Sequence, residues 1–229
     1  MLRLIVCWLW VVSLPAFAEG TEFIRAPGFA YAGPEAAKGV LVWVPGTYGR
    51  DQSGPPPPPD IVAREAAAGM DVWCFDRDRG DDPLDRGAAM LMRHIQDLRA
   101  QGYRHVIVAG HSRGAWIALT LLAHPGLADA VVAFSPAAHG TSEARKAQAM
   151  AAWDTLWGSA VNNGTRVVLV QMADDPYDPD PARRLAVARA RFGANLTSIF
   201  EPATPKGHAG VYEPAFDEQF GARIAGLLP

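Results

Sequence analysis

Short, almost unbroken apolar runs recur along this chain at residues 40–44, 72–75, 106–109, 130–134, 167–171 and 196–200. A strand whose consecutive residues are all apolar offers no polar face to water, so it belongs in a sheet covered on both sides. Helix-patterned stretches lie between the runs. Ala88, Leu91, Ile95 and Leu98 share one helical face, with Asp82 as the expected N-cap, Pro83 at the first helical position and Gly102 as the terminator. Asp180, Pro181 and Gly193 bracket a second helix whose apolar face carries Leu185, Ala188 and Phe192. Repeated strand-helix-strand units predict an α/β fold: a doubly wound, mostly parallel sheet with right-handed crossovers.

The chain begins with Arg3, an apolar run over residues 4–14, Pro15 and then Ala16-Phe17-Ala18. A short positive start, an apolar stretch too short for a bilayer span and small residues at −3 and −1 predict a secretory signal peptide over residues 1–18. Cleavage before Glu19 leaves one domain, residues 19–229, and a secreted or periplasmic location. Cys7 departs with the signal, so Cys74 is the only remaining thiol and no intramolecular disulfide is expected. Cys74 lies inside an apolar run and reads as a buried strand residue.

With 21 Lys+Arg against 24 Asp+Glu, the formal net charge is −3. That balance supplies no broad basic field for nucleic acid or anionic lipid, and no later segment is apolar enough to span a membrane. Nothing in the pattern specifies an oligomeric state. Pro55 to Pro59 favours a stiff polyproline II surface loop, placed after the first apolar strand where it could shape the mouth of a site. The run Asp76-Arg77-Asp78-Arg79 reads as a solvated charged rim.

The chemistry-bearing segment is Gly110-His111-Ser112-Arg113-Gly114, which joins the apolar run at 106–109 to the helix-like Ala115-Trp116-Ile117-Ala118-Leu119. A serine on a sharp strand-to-helix turn projects its hydroxyl above the sheet. The flanking glycines allow the bend and the close approach of helix to strand, and the helix N-terminus favours developing negative charge. A dinucleotide site is excluded, because no Gly-x-Gly-x-x-Gly follows the first clear strand.

On these motifs the chain resembles the α/β-hydrolase family from Val40 onward. The resemblance implies a catalytic order of nucleophile, acid, histidine, with Ser112 as nucleophile. The acid belongs in the loop after the run at 167–171, where Asp174, Asp175 and Asp178 are candidates. Asp175 with Pro179 matches the family spacing, Met172 standing where glycine is common; Asp178 is the next candidate and Asp174 the third. His208, in the loop after the run at 196–200, matches the family's base. His139 is its rival but precedes the acids, while His111 is expected to pack beneath the elbow. His94, His105 and His124 have surface or capping roles. The oxyanion-hole amides are assigned to Arg113, which follows the nucleophile, and to Thr47 in Pro45-Gly46-Thr47-Tyr48-Gly49, where Pro45 replaces the family's histidine.

The implied activity is serine hydrolysis of a small-molecule acyl substrate, most naturally a carboxylic ester, without metal or cofactor. A peptidase, thioesterase or acyltransferase would use the same triad, and an inactive binding protein would keep the fold. Only residues 137–166 separate the fourth expected strand from the acid loop, so a minimal cap or none is expected. The stripe Met150, Trp153, Leu156 and Trp157 within them reads as core packing.

Overall fold

A seven-stranded sheet in the order β1-β3-β2-β4-β5-β6-β7 organises the chain. Its strands are β1 (Glu22–Arg25), β2 (Gly39–Val44), β3 (Met70–Asp76), β4 (Val106–His111), β5 (Ala130–Phe134), β6 (Arg166–Gln171) and β7 (Leu196–Phe200). The computed structural model describes residues 22–48, 55–77 and 83–228. The expected signal peptide, Gly49, Asp78, Arg79 and Asp82 lie outside the described residues.

Every pairing from β3 through β7 is parallel, whereas β1 runs antiparallel along the free edge of β3. The six apolar runs of the sequence are the six parallel strands. β1 carries no comparable signal: of its residues only Phe23 is half-buried, and its neighbours are exposed. It is held by pairing, with Phe23 opposite Phe75, and by stacking of the Phe23 ring on Trp73 at 5.0 Å and on His94 at 4.3 Å. His94 is therefore not the surface residue expected. It is sandwiched beside β1, and desolvation lowers its pKa from the ordinary histidine value.

Alternate strand residues enter two cores. On one face Val40, Val42, Val44, Val106 and Val108 meet α2 (Leu84–Ala100), α3 (Arg113–Thr120), α4 (Glu143–Ser159) and α5 (Pro181–Phe192). On the other, Leu41, Trp43, Ile107 and Ala109 meet α1 (Asp60–Ala67) and a C-terminal segment formed by α6 (Pro214–Phe216), a π turn at Asp217–Gly221 and α7 (Ala222–Ala225). Covering both faces explains why the strands lack polar alternation. In α2 the predicted stripe of Leu91, Ile95 and Leu98 is fully buried, at roughly 1.5–3 kcal/mol of hydrophobic stabilisation per side chain.

The helix ends follow local chemistry. Pro83 has an extended ψ of 136° and serves as the N-cap of α2 in place of Asp82, one position later than expected, because the chain turns helical only at Leu84. At the other end Gly102 takes φ +105°; its N–H donates to Arg99 and that of Tyr103 to Leu98, a paired closure of the last carbonyls. α5 begins as read: the Asp180 carboxylate accepts the Arg183 N–H at 3.0 Å, and Pro181 opens the helix. In α4, Trp153, Leu156 and Trp157 are buried in the core, while Met150 is only half-buried. The segment between β5 and β6 is thus a crossover helix, with no cap among the described residues. Pro59 is extended (φ −66°, ψ 160°) and leads the proline run into α1. Cys74 is buried, and desolvation pushes its thiol pKa up to about 12, so it has no thiolate character near neutrality.

Candidate active site

The central strand β4 ends at His111, and Ser112 takes φ 54° and ψ −122° before α3 begins. A non-glycine residue there carries strain of roughly 1–3 kcal/mol, sustained by its surroundings. The Ser112 N–H donates to Phe134 at 2.9 Å, and its carbonyl accepts from Trp116 at 3.0 Å and Ala137 at 3.1 Å. The glycines are required by space. A Cβ on Gly110 would lie 2.6 Å from the Gly114 backbone, and one on Gly114 would collide with the carbonyl oxygens of Val44 and Pro45.

The acid loop follows β6 and the histidine loop follows β7, and the Gly207 N–H donates to Ala173 at 2.8 Å to join them. His208 Nδ1 lies 3.0 and 2.9 Å from the two Asp175 carboxylate oxygens, and Nε2 lies 2.7 Å from Ser112 Oγ. An ionised carboxylate can only accept, so Nδ1 carries the proton and Nε2 accepts from the serine hydroxyl. The Asp175 side chain is 2% exposed and His208 is 19% exposed, so the acid end is dry and the base faces the opening.

The other aspartates have different partners. Asp174 is exposed and pairs with Lys206. Asp178 points away from His208. Its carboxylate meets Arg184 Nη1 at 2.8 Å and accepts from Gln171 Nε2 at 2.8 Å. Arg184, fully buried, also donates to the Pro136 carbonyl at 2.7 Å and lies 3.9 Å over the Trp153 ring. Burial lowers the Arg184 pKa, against the opposing pull of Asp178. The same loop therefore contains a triad-like acid and a structural acid three residues apart.

His111 is buried beneath the elbow, as expected, and it also touches the histidine loop. Its Nε2–H donates to the His208 carbonyl at 2.8 Å, and its ring lies 4.8 Å from that of His208. Desolvation lowers its pKa to about 4, so it is neutral near pH 7. Tyr177 forms a further wall: its N–H donates to Asp175, and its ring lies 4.5 Å from the His208 ring. His139 packs edge-on against Trp116 and makes no hydrogen bond to Ser112, Asp175 or His208.

A cavity of about 310 Å³ opens at Ser112 and is lined by Thr47, Arg113, residues 137–140, Tyr177 and His208. Both residues assigned to the oxyanion hole thus border the nucleophile. The loop carrying Thr47 is held from β3 and the residue after it: Arg77 Nη1 donates to the Pro45 carbonyl at 2.7 Å, and the Tyr48 hydroxyl donates to Asp76. Arg77 is 5% exposed, which corrects the reading of that residue as part of a solvated charged run. Its acceptor lies in another loop, so the charge run alone could not reveal the contact. Among the described residues, no group of three or more His, Cys, Asp or Glu side chains is placed to hold a metal ion.

A parallel sheet with a strained serine elbow on its central strand, followed in chain order by an acid loop and a histidine loop, is the α/β-hydrolase fold. No protein-family model and no curated protein matches the chain. Solved structures do. An esterase of Pyrococcus furiosus shares 14% identity at a TM-score of 0.59, over 83% of this chain and 80% of its own. Brefeldin A esterase, a bacterial homologue of human hormone-sensitive lipase, shares 20% at 0.56, over 90% and 71%. An N-formylmaleamic acid deformylase of Pseudomonas putida shares 15% at 0.57, over 88% and 95%.

Proposed function

We propose that this protein is an exported serine hydrolase that cleaves small carboxylic esters through an acyl-enzyme on Ser112. The observation that carries this reading is the continuous hydrogen-bonded chain from Asp175 through His208 to Ser112, ending at the mouth of a cavity. His208 Nε2 takes the serine proton as Oγ attacks the carbonyl. Asp175 holds the imidazole in the required tautomer and stabilises the imidazolium. The Thr47 and Arg113 amides receive the oxyanion. The imidazolium then protonates the leaving alcohol, and a water activated by the neutral imidazole releases the acid. The esterases among the structural neighbours support hydrolysis as the reaction class, and the leader-like residues 1–18 support export.

The test is hydrolysis of p-nitrophenyl butyrate by protein recovered from the periplasmic fraction of an expressing bacterium. Ser112→Ala should lower kcat about 10⁴-fold or more, because the triad acts as a unit. The parent, and not the variant, should be labelled by a fluorophosphonate probe. Equal hydrolysis by parent and variant, or no labelling of the parent, would overturn the assignment.

A further inference from the structure

We propose that Arg77 is a positioning residue that sets the geometry of the oxyanion hole by clamping the Pro45–Tyr48 loop against the nucleophile helix. The proposal rests on the serine hydrolase reading and adds a residue to it.

One oxyanion amide, that of Thr47, sits in a loop that has left β2 and has no ladder partner. The other, that of Arg113, belongs to the first turn of α3. The separation of the two donors therefore depends on how this loop seats on α3. Two contacts bear directly on that. Gly114 lies so close that a Cβ there would collide with the Val44 and Pro45 carbonyl oxygens, so the loop entry rests directly on the helix backbone. From the β3 side, the buried Arg77 guanidinium donates to the same Pro45 carbonyl at 2.7 Å. The Pro45–Gly46 peptide is thus held between a helix backbone and a charged donor in a site with little water. Gly46 fits tightly in turn, since a Cβ on it would lie 3.1 Å from the His111 Nδ1 and Ser112 Cβ atoms.

The far end of the loop is anchored as well, by the Tyr48 hydroxyl donating to Asp76. Anchors at positions 45 and 48 bracket Gly46 and Thr47 and come from adjacent residues, Asp76 and Arg77, where β3 ends. Register explains the arrangement: β2 and β3 are paired parallel with Trp43 beside Cys74, so β3 ends one residue beyond the end of β2 and its last residue and the one after it face the loop after β2.

Oxyanion donors act through placement, and misplacement by about 1 Å costs on the order of 100-fold in rate. Arg77→Met should therefore lower kcat about 10- to 100-fold with KM nearly unchanged, and weaken binding of a trifluoromethyl ketone, which forms a tetrahedral adduct on Ser112, by a similar factor. Arg77→Lys should recover part of both. Tyr48→Phe, which frees the other anchor, should show the same pattern to a smaller degree, and it carries the test if Arg77→Met does not fold. A purely structural role would lower the melting temperature without linking kcat to inhibitor affinity. The clamp is overturned if folded variants keep kcat within threefold of the parent, or lose kcat while binding the ketone equally well. A parent that neither hydrolyses esters nor binds the ketone would instead overturn the hydrolase reading and the clamp with it.

Discussion

Asp175 and Asp178 lie three residues apart on one loop, yet their removal should damage the protein in different ways. Asp178 neutralises Arg184 where both side chains are almost wholly enclosed, at 5% and 2% exposure. Asp178→Ala would leave a guanidinium buried against Trp153, donating to the Pro136 carbonyl and with the Asp175 charge nearby but not its own ion-pair partner. Removing one member of a buried pair costs about 3–5 kcal/mol, chiefly through the unpaired charge left behind. In a domain of this size each kcal/mol moves Tm by about 2–4 °C, so the melting temperature should fall by about 6–20 °C. Asp175→Asn keeps the shape of the carboxylate but removes its charge and its fixed preference for an Nδ1–H donor. Its kcat should fall about 10⁴-fold, with Tm far less affected than in Asp178→Ala. Melting followed by circular dichroism and initial rates on p-nitrophenyl butyrate separate the two. The reasoning fails if Asp178→Ala melts within about 2 °C of the parent, or if Asp175→Asn keeps kcat within tenfold.

Two further outcomes follow from the elbow. His111 has its pKa lowered to about 4 in the folded state against 6.5 for a free histidine, so the unfolded chain binds the extra proton first. Stability from this site is full above about pH 7, declines as pH falls through 6.5, and levels off below about pH 4, for a total loss of about 3 kcal/mol. Urea denaturation from pH 7.5 to 4 should show a shallower decline for His111→Asn than for the parent; equal slopes would refute this. Gly114→Ala places a methyl group against two backbone carbonyls that cannot yield, and should cost about 3 kcal/mol or more, read as a fall in Tm or loss of soluble protein.

Much of this architecture was present in one dimension. The buried parallel strands advertise themselves because a strand covered on both faces needs unbroken apolar residues, as Val40–Val44 and Ala130–Phe134 show. The Gly-x-Ser-x-Gly elbow is equally local, since its glycines answer a close approach within one strand-turn-helix unit. The order of Ser112, the acid loop and His208 could be read once that elbow was located. β1 could not be read, because an edge strand with one half-buried aromatic owes its existence to the free edge of β3. Nor could sequence separate Asp175 from Asp178 on chemistry alone. Both are acids on the same turn, and what divides them is that one meets His208 in the loop after β7 and the other meets Arg184 from α5. Arg77 changed most, from an exposed charge in a charged run to the buried donor that holds Pro45. Local pattern determined the six parallel strands, α2, α5 and the elbow, because each of those answers to neighbours in the chain. The tertiary structure decided the partners of the polar groups: Asp175 meets His208 and Arg77 meets Pro45 across more than thirty residues that only the parallel register brings alongside, and the fold of the acid loop against α5 turns Asp178 to Arg184.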